Sequence, residues 1–164
     1  MTLIPTESSL PKSLVFITNS PEETETAGEK TGSQLPVGSV LALEGPLGAG
    51  KTCFVKGIAR SLHITEDITS PTYTIVSEYE AFSSTETGEA FSFFHIDAYR
   101  LNGEDDFFAL GGEEYFDAKC ITVVEWPERI AKALPKDTIF VKIAIIEGNR
   151  RQISVGAEHE HTRG

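Results

Sequence analysis

Short apolar runs alternate with polar, helix-compatible segments along the chain, and this alternation predicts an α/β protein. The runs that have the length and the β-branched or aromatic content of buried strands are 14–17, 40–43, 91–97 and 121–124. Apolar residues recur at helical spacing over 53–62, soon after the second run. We therefore expect a three-layer α/β domain with a mostly parallel central sheet, to which hairpins add antiparallel strands.

Capping and turn signals place further elements between these runs. Residues 20–23, Ser-Pro-Glu-Glu, form a capping box with proline at the first helical position, so a helix should follow and run to about Gln34. This helix has few apolar residues, which predicts a position near the surface. The remaining predicted elements are a strand at 75–79, a short helix at 104–110, and a closing hairpin of strands 138–146 and 152–155 that has one exposed face and no chemistry.

Residues 45–52, Gly-Pro-Leu-Gly-Ala-Gly-Lys-Thr, match the phosphate-binding loop pattern G-x-x-x-x-G-K-[ST] in full. The loop lies between a predicted strand and a predicted helix, as the motif requires. This context predicts a P-loop NTPase domain; the alternative is that residues 45–52 form an ordinary Gly-rich turn. Lys51 can reach the β- and γ-phosphates, and the Thr52 hydroxyl can ligate Mg²⁺. The predicted nucleotide-binding residues are Gly48, Ala49, Gly50, Lys51, Thr52 and Cys53.

Two predicted strands end in a carboxylate: Asp97 closes the run at 91–97, and Glu125 follows the run at 121–124. Ligands of open α/β sheets bind at the C-terminal edge of the strands, so both acids are candidates for a magnesium–nucleotide site. Either acid could instead cap the next helix or pair with an arginine such as Arg100 or Arg129. Asp97 could orient or deprotonate water, or ligate magnesium through water; the sequence leaves these roles open.

A hydroxyl-rich loop with Ser70 and Thr72 follows the first P-loop helix, where a switch that senses the γ-phosphate would lie; a simple turn is the alternative. His95 has apolar neighbours and is expected to be a core or switch histidine rather than a metal ligand.

Composition limits the classes of function. A chain of 164 residues fits one domain over 1–164, with 1–12 and 156–164 expected to be loosely ordered. The net charge of −11, with no basic cluster outside the loop, argues against direct nucleic-acid binding by this chain. Two cysteines without metal-ligand spacing, no apolar run of membrane-span length and no signal-peptide pattern favour a reducing, cytoplasmic setting.

Several separated motifs together resemble the TsaE (YjeE) family, over residues 15 to about 145 and in the right order. Besides the loop, they are Ser-Pro-Thr-Tyr-Thr at 70–74, His-Ile-Asp-Ala-Tyr-Arg-Leu at 95–101, Gly-Gly-Glu-Glu-Tyr-Phe at 111–116 and Val-Glu-Trp-Pro-Glu-Arg at 124–129. Two positions depart from the family pattern: Pro46 stands where an acid or another polar residue is usual, and Cys53 replaces a threonine.

The resemblance implies an ATP hydrolase, weak alone, that works with TsaD and TsaB type proteins to make threonylcarbamoyladenosine beside the tRNA anticodon. By position it implies that Thr52 and Glu125 hold Mg²⁺, that Asp97 is the acid required for ATP hydrolysis, and that Trp126 lies close to the nucleotide. The charge of Lys51 would assist the chemistry.

Two other classes share the loop. A small-molecule kinase would need a lid with phosphate-binding arginines, and only six arginines are spread along this chain. A nucleotide-gated binding switch is the second alternative. Its guanine-specific form would carry an Asn/Thr-Lys-x-Asp signature, which is absent from this sequence, so adenine is favoured.

Overall fold

An eight-stranded mixed sheet forms the centre of the protein, as seen in a computed structural model that describes residues 2–4, 13–69, 74–83 and 88–156. In chain order the strands are β1 (Thr2–Ile4), β2 (Leu14–Thr18), β3 (Val40–Glu44), β4 (Val76–Phe82), β5 (Ala90–Asp97), β6 (Cys120–Glu125), β7 (Ile139–Glu147) and β8 (Arg150–Val155). Their order across the sheet is β1-β2-β8-β7-β3-β6-β5-β4. The four strands β7, β3, β6 and β5 are mutually parallel, and the flanking pairs are antiparallel.

The helices are α1 (Pro21–Gly32), α2 (Lys51–Ser61) and α3 (Glu104–Ala109), with 3-10 helices at Gly112–Phe116 and Pro127–Ala133. The predicted cap of α1 is present, because the Ser20 hydroxyl accepts a hydrogen bond from the Glu23 N–H at 3.1 Å. Glu23 in turn accepts one from the Asn19 N–H at 2.6 Å. None of the helices in the described ranges is long and apolar enough to cross a membrane.

Each face of the sheet carries its own hydrophobic cluster, which confirms the predicted three-layer α/β architecture. Leu41 and Leu43 point to the face covered by α1 and α2, where Phe54 of α2 packs. Val40, one residue earlier, points to the opposite face and packs with Phe107 of α3. Alternate residues of a strand face opposite sides, so both sides of these central strands are buried.

Helices α1 and α2 approach each other so closely that a side chain would not fit at two glycines. A Cβ placed on Gly28 would lie 2.1 Å from the carbonyl oxygen of Phe54, and one on Gly57 would lie 1.9 Å from that of Glu25. Thr24 and Ala27 are buried on the same side of α1. The polar composition that predicted a surface position for α1 therefore conceals a tightly packed face of small residues.

The predicted element boundaries agree with the structure to within a few residues: helix α1, for example, ends at Gly32, close to the predicted Gln34. One prediction differs. Thr2–Ile4, expected within a loosely ordered lead-in, forms β1 and pairs with β2. The rest of segment 1–12, and 157–164, lie outside the described residues.

We predict that Gly57→Ala lowers the free energy of unfolding by about 2–3 kcal/mol, because its Cβ would overlap backbone atoms of α1 that cannot move independently. Gly32→Ala is the comparison variant, with a smaller expected loss: its closest contact, the Ser61 hydroxyl, can rotate away, and the nearest backbone atom, Cα of Ile58, lies 3.0 Å from the added Cβ. Urea unfolding followed by circular dichroism measures both variants. Equal midpoints for Gly57→Ala and the parent would contradict the close-packing argument.

Candidate functional site

The glycine-rich loop leaves β3 and enters α2 in a conformation that the glycines make possible. Gly48 has φ +79° and Gly50, the N-cap residue of α2, has φ +104°; both values lie in the left-handed region that favours glycine. A Cβ on Gly45 would lie 2.9 Å from the carbonyl oxygen of Ile143 on β7. The loop is closed by a turn in which the Ala49 N–H donates to the Pro46 carbonyl at 3.1 Å.

Lys51 directs its ammonium group back along this loop. Its Nζ donates to the Gly45 carbonyl at 2.6 Å and lies 4.1 Å from the centroid of the Trp126 ring. The residue is 8% exposed, so its charge is held against the loop instead of extending into solvent. This arrangement places a cation where an anion entering the loop would meet it.

A cleft of about 360 Å³ lies beside the Lys51 side chain. Its walls come from the end of β3, the start of the loop and the segment after β6, namely Leu43, Glu44, Gly45, Pro46, Lys51, Trp126 and Glu128. The indole of Trp126 supplies a flat aromatic wall. The cleft is therefore open to a ligand that has both an anionic and a planar part.

Trp126 is held in an unusual backbone conformation, with φ +56°. Its ring packs against Tyr99 at 5.0 Å between centroids, and the guanidinium of Arg129 lies 5.5 Å from the Tyr99 ring centroid. A non-glycine residue at positive φ is uncommon and carries strain that the surroundings must balance. The tilted packing of Tyr99 against the indole holds Trp126 at the cleft in spite of that strain.

The two strand-end acids lie side by side because β5 and β6 are parallel and in register, with Asp97 opposite Glu125. The Ala98 N–H donates to the Glu125 carbonyl at 3.0 Å and ties the strand ends together. Asp97 is half-buried, and its Oδ1 accepts a hydrogen bond from the Tyr99 N–H at 3.0 Å. This contact closes a local turn and does not cap a helix, since the next helix, α3, has Gly103 as its N-cap residue and no side-chain cap. Ion pairs with an arginine are absent for both acids within the described ranges.

Glu125 is buried and bonded to a buried histidine. Its Oε2 lies 2.7 Å from Nε2 of His95, and the two residues are 4% and 0% exposed. Among buried side-chain nitrogen and oxygen atoms of the described residues, Nδ1 of His95 alone has no hydrogen-bond partner. An unpartnered N–H is more costly to bury than a bare nitrogen, so we assign the proton to Nε2, which donates to Glu125.

No group of three or more His, Cys, Asp or Glu side chains in the described segments could enclose a metal ion. Mg²⁺ does not require such a group, since it takes one or two protein oxygens and keeps phosphate and water ligands for the rest. Thr52, in the first turn of α2, and the carboxylates of Asp97 and Glu125 are hard oxygen donors that fit this ion.

The structure brings most of the predicted residues to one edge of the sheet. Gly48 to Cys53 form the loop and the first turn of α2, Lys51 touches Trp126, and Trp126 directly follows Glu125. Ser70 and Thr72 lie outside the described residues. Two contacts have no signal in the sequence pattern: the bond from His95 to Glu125, and hydrogen bonds from Arg151 on β8 to the loop carbonyls.

Comparisons with known proteins identify relatives along nearly the whole chain. The family model "Threonylcarbamoyl adenosine biosynthesis protein TsaE" matches residues 18–153. The tRNA threonylcarbamoyladenosine biosynthesis protein TsaE of Treponema pallidum is 38% identical over 85% of this chain and 97% of its own length. The protein of the same name from Bacillus subtilis is 38% identical over 89% of this chain and 87% of its own length.

A solved structure has the same fold. The crystal structure of Bacillus subtilis YdiB superposes with a TM-score of 0.66 at 34% sequence identity, covering 90% of this chain and 87% of that one. The residues matched by the family model, 18–153, include the loop and both strand-end acids.

We predict that His95→Ala lowers the free energy of unfolding by about 3 kcal/mol, because it leaves the buried Glu125 carboxylate without its partner. The double variant His95→Ala/Glu125→Gln should recover part of this loss, since a neutral amide is less costly to bury than a carboxylate. Urea unfolding of the parent, single and double variants measures both effects. A double variant no more stable than His95→Ala would argue against a charge-based penalty.

We also predict different thiol reactivities for the two cysteines. Burial raises the pKa of the Cys120 thiol, which also donates to the carbonyls of Tyr115 and Asp117 at 3.3 and 3.2 Å. Less thiolate forms at pH 8, so Cys120 should react with a disulfide reagent at least about tenfold more slowly than the partly exposed Cys53. The fast phase should vanish in Cys53→Ser. Its persistence would show that Cys120 is accessible.

Proposed function

The chain belongs to the TsaE family, and from that membership and the geometry of the site we propose that it binds and hydrolyses Mg-ATP. Hydrolysis would support the complex that transfers a threonylcarbamoyl group to the adenosine next to the tRNA anticodon. The observation that carries the proposal is the position of Lys51, whose ammonium is held between the Gly45 carbonyl and the Trp126 ring, beside an open cleft.

The loop backbone would bind the phosphates. The N–H groups at the start of α2 point out of the helix end and carry its positive dipole, which favours an anion. Lys51 would exchange its contact with the Gly45 carbonyl for the β- and γ-phosphate oxygens. Binding through Ala49 would require its N–H to leave the Pro46 carbonyl, so the loop would adjust when a nucleotide enters.

Thr52 and Glu125 are the proposed holders of Mg²⁺, which when bound supplies positive charge against the β- and γ-phosphate oxygens. In this scheme His95 fixes Oε2 of Glu125 and leaves Oε1 outside that bond. Asp97, one strand away, would orient or deprotonate the attacking water through the oxygen that the Tyr99 N–H does not engage. Trp126 would lie against the nucleotide at the wall of the cleft.

The relatives are named as tRNA threonylcarbamoyladenosine biosynthesis proteins, and we extend that role to this chain. TsaD and TsaB type proteins are the proposed partners, in the cytoplasm, where they would stimulate an ATPase that is weak alone. The acidic surface of this chain, at net charge −11, supports contact with those proteins in preference to direct contact with tRNA.

The test is phosphate release from Mg-ATP by the purified chain, alone and with TsaD and TsaB type proteins added. We expect stimulation by the protein pair and a loss of about 100-fold or more in Asp97→Ala, with ATP binding retained, because Asp97 acts on water and not on the phosphates. Asp105→Ala is the matched control, since it removes an exposed acid on α3 that does not line the cleft.

Two results would contradict the proposal. Turnover that is unchanged in Asp97→Ala would remove the assigned role of this acid. Turnover that ignores the protein pair but rises with a small-molecule phosphate acceptor would indicate a kinase.

A further inference from the structure

Arg151 connects the C-terminal hairpin to the glycine-rich loop. From β8, its Nε donates to the Ala49 carbonyl at 3.1 Å, and its Nη2 lies 3.4 Å from the Gly48 carbonyl. On its other side, Nη1 donates to the carbonyl of Gly148 in the β7–β8 turn at 2.6 Å. One planar guanidinium thus bridges two segments about a hundred residues apart in the chain.

This bridge determines which way the loop amides point. The C=O and N–H of a trans peptide point in opposite directions, so an Ala49 carbonyl that faces Arg151 turns the Gly50 N–H away from it. The neighbouring Ala49 N–H is occupied by the Pro46 carbonyl. Arg151 can therefore orient the peptide between Ala49 and Gly50 so that the Gly50 N–H faces a ligand on the side of the loop opposite Arg151.

The outer part of the loop, at Leu47 and Gly48, has few other restraints, whereas the Ala49 side chain is itself buried. A Cβ on Gly48 would meet no atom within 4 Å, and the adjacent Leu47 side chain is 88% exposed. Glycines also give the backbone more conformations to lose when a ligand orders it. A fixed guanidinium that binds two successive carbonyls lowers that entropic cost before the ligand arrives.

The charge of Arg151 is also available to the site. None of the ion pairs among the described residues involves Arg151, whereas Arg60 on α2 pairs with Glu25 and Glu29 of α1. An unpaired guanidinium against the loop adds a positive potential for an incoming polyanion, in a protein whose net charge is −11.

We propose that Arg151 is a positioning residue for nucleotide binding: it holds the Gly48 and Ala49 carbonyls outward, so that the loop amides are oriented toward the phosphates before ATP binds. The inference rests on the proposed Mg-ATP binding and adds a residue from the hairpin, for which the sequence indicated no chemistry. Arg151 would act through the loop backbone without touching the nucleotide.

The experiment compares Arg151→Ala, Arg151→Lys and Arg150→Ala with the parent chain. Arg150 is exposed one residue earlier on β8, so its variant removes the same charge without touching the loop. Isothermal titration calorimetry gives the Kd for Mg-ATP, and thermal melts report stability. Hydrogen exchange of peptides that cover 45–54, in the ligand-free protein, reports loop order independently of any nucleotide.

We expect Arg151→Ala to weaken Mg-ATP binding by roughly tenfold and to speed exchange in the loop, while Arg150→Ala changes Kd by less than about twofold. Arg151→Lys should resemble Arg151→Ala, because a single ammonium cannot bridge both carbonyls with fixed geometry. If Arg151→Lys bound Mg-ATP with the affinity of the parent chain, the positive charge alone would explain binding. That result would overturn the proposed bridging role.

Two further outcomes separate this inference from the proposed function. Unchanged loop exchange or unchanged Kd in Arg151→Ala, in a parent chain that binds Mg-ATP, would overturn the role of Arg151 alone. A parent chain that does not bind Mg-ATP would overturn the proposed function and, with it, this role in binding.

Discussion

The parallel register of β3, β6 and β5 determines where a site can form in this protein. Glu125 pairs with Leu43 on one side and with Asp97 on the other, so both acids reach the sheet edge where the chain leaves β3 for the loop. Backbone hydrogen bonds set this alignment, and a slip of one residue would turn each carboxylate to the opposite face. Helix α2 begins where the loop ends, so its packing against α1 and the sheet holds the loop at that edge.

The site separates its charges by element. The cation, Lys51, belongs to the loop and the first turn of α2, whereas the anions, Asp97 and Glu125, belong to strand ends. Lys51 is neutralised by neither acid in the described ion pairs; its contacts are a carbonyl and the Trp126 ring. Lys51 could therefore contact the anionic part of a bound group, and the acids could contact its cationic part. Burying Glu125 is costly, and the hydrogen bond from His95 offsets part of that cost.

Local signals in the sequence were sufficient for the strand–loop–helix unit, the strand-end acids and the closing hairpin, because each depends on neighbours within a few residues. The packing of α1 was not predictable in this way. Apolar periodicity detects faces that bury large side chains, whereas α1 uses Gly28 opposite the backbone of Phe54, and α2 uses Gly57 opposite that of Glu25. The contacts of Arg151 were also not predictable from the local sequence. Arg150 and Arg151 look alike in the sequence, and the β7–β8 register decides which one faces the loop.

A protein of net charge −11 that binds a polyphosphate would seem to oppose its own ligand. Salt limits that opposition, because the Debye length is about 8 Å at physiological ionic strength and exposed acids farther away are largely screened. At the loop the ligand would meet Lys51, the amides at the start of α2 and, behind them, the guanidinium of Arg151. Glu44 and Glu128 line the adjoining cleft and are the acids close enough to oppose it. The affinity for a nucleotide would then depend on a few oriented groups. The acidic remainder of the surface would instead affect the binding of nucleic acids. Nucleic acids bind through many phosphates spread over a wide surface, and a net charge of −11 opposes that mode of binding. The proposed binding of one nucleotide in the loop is therefore compatible with discrimination against long polyanions.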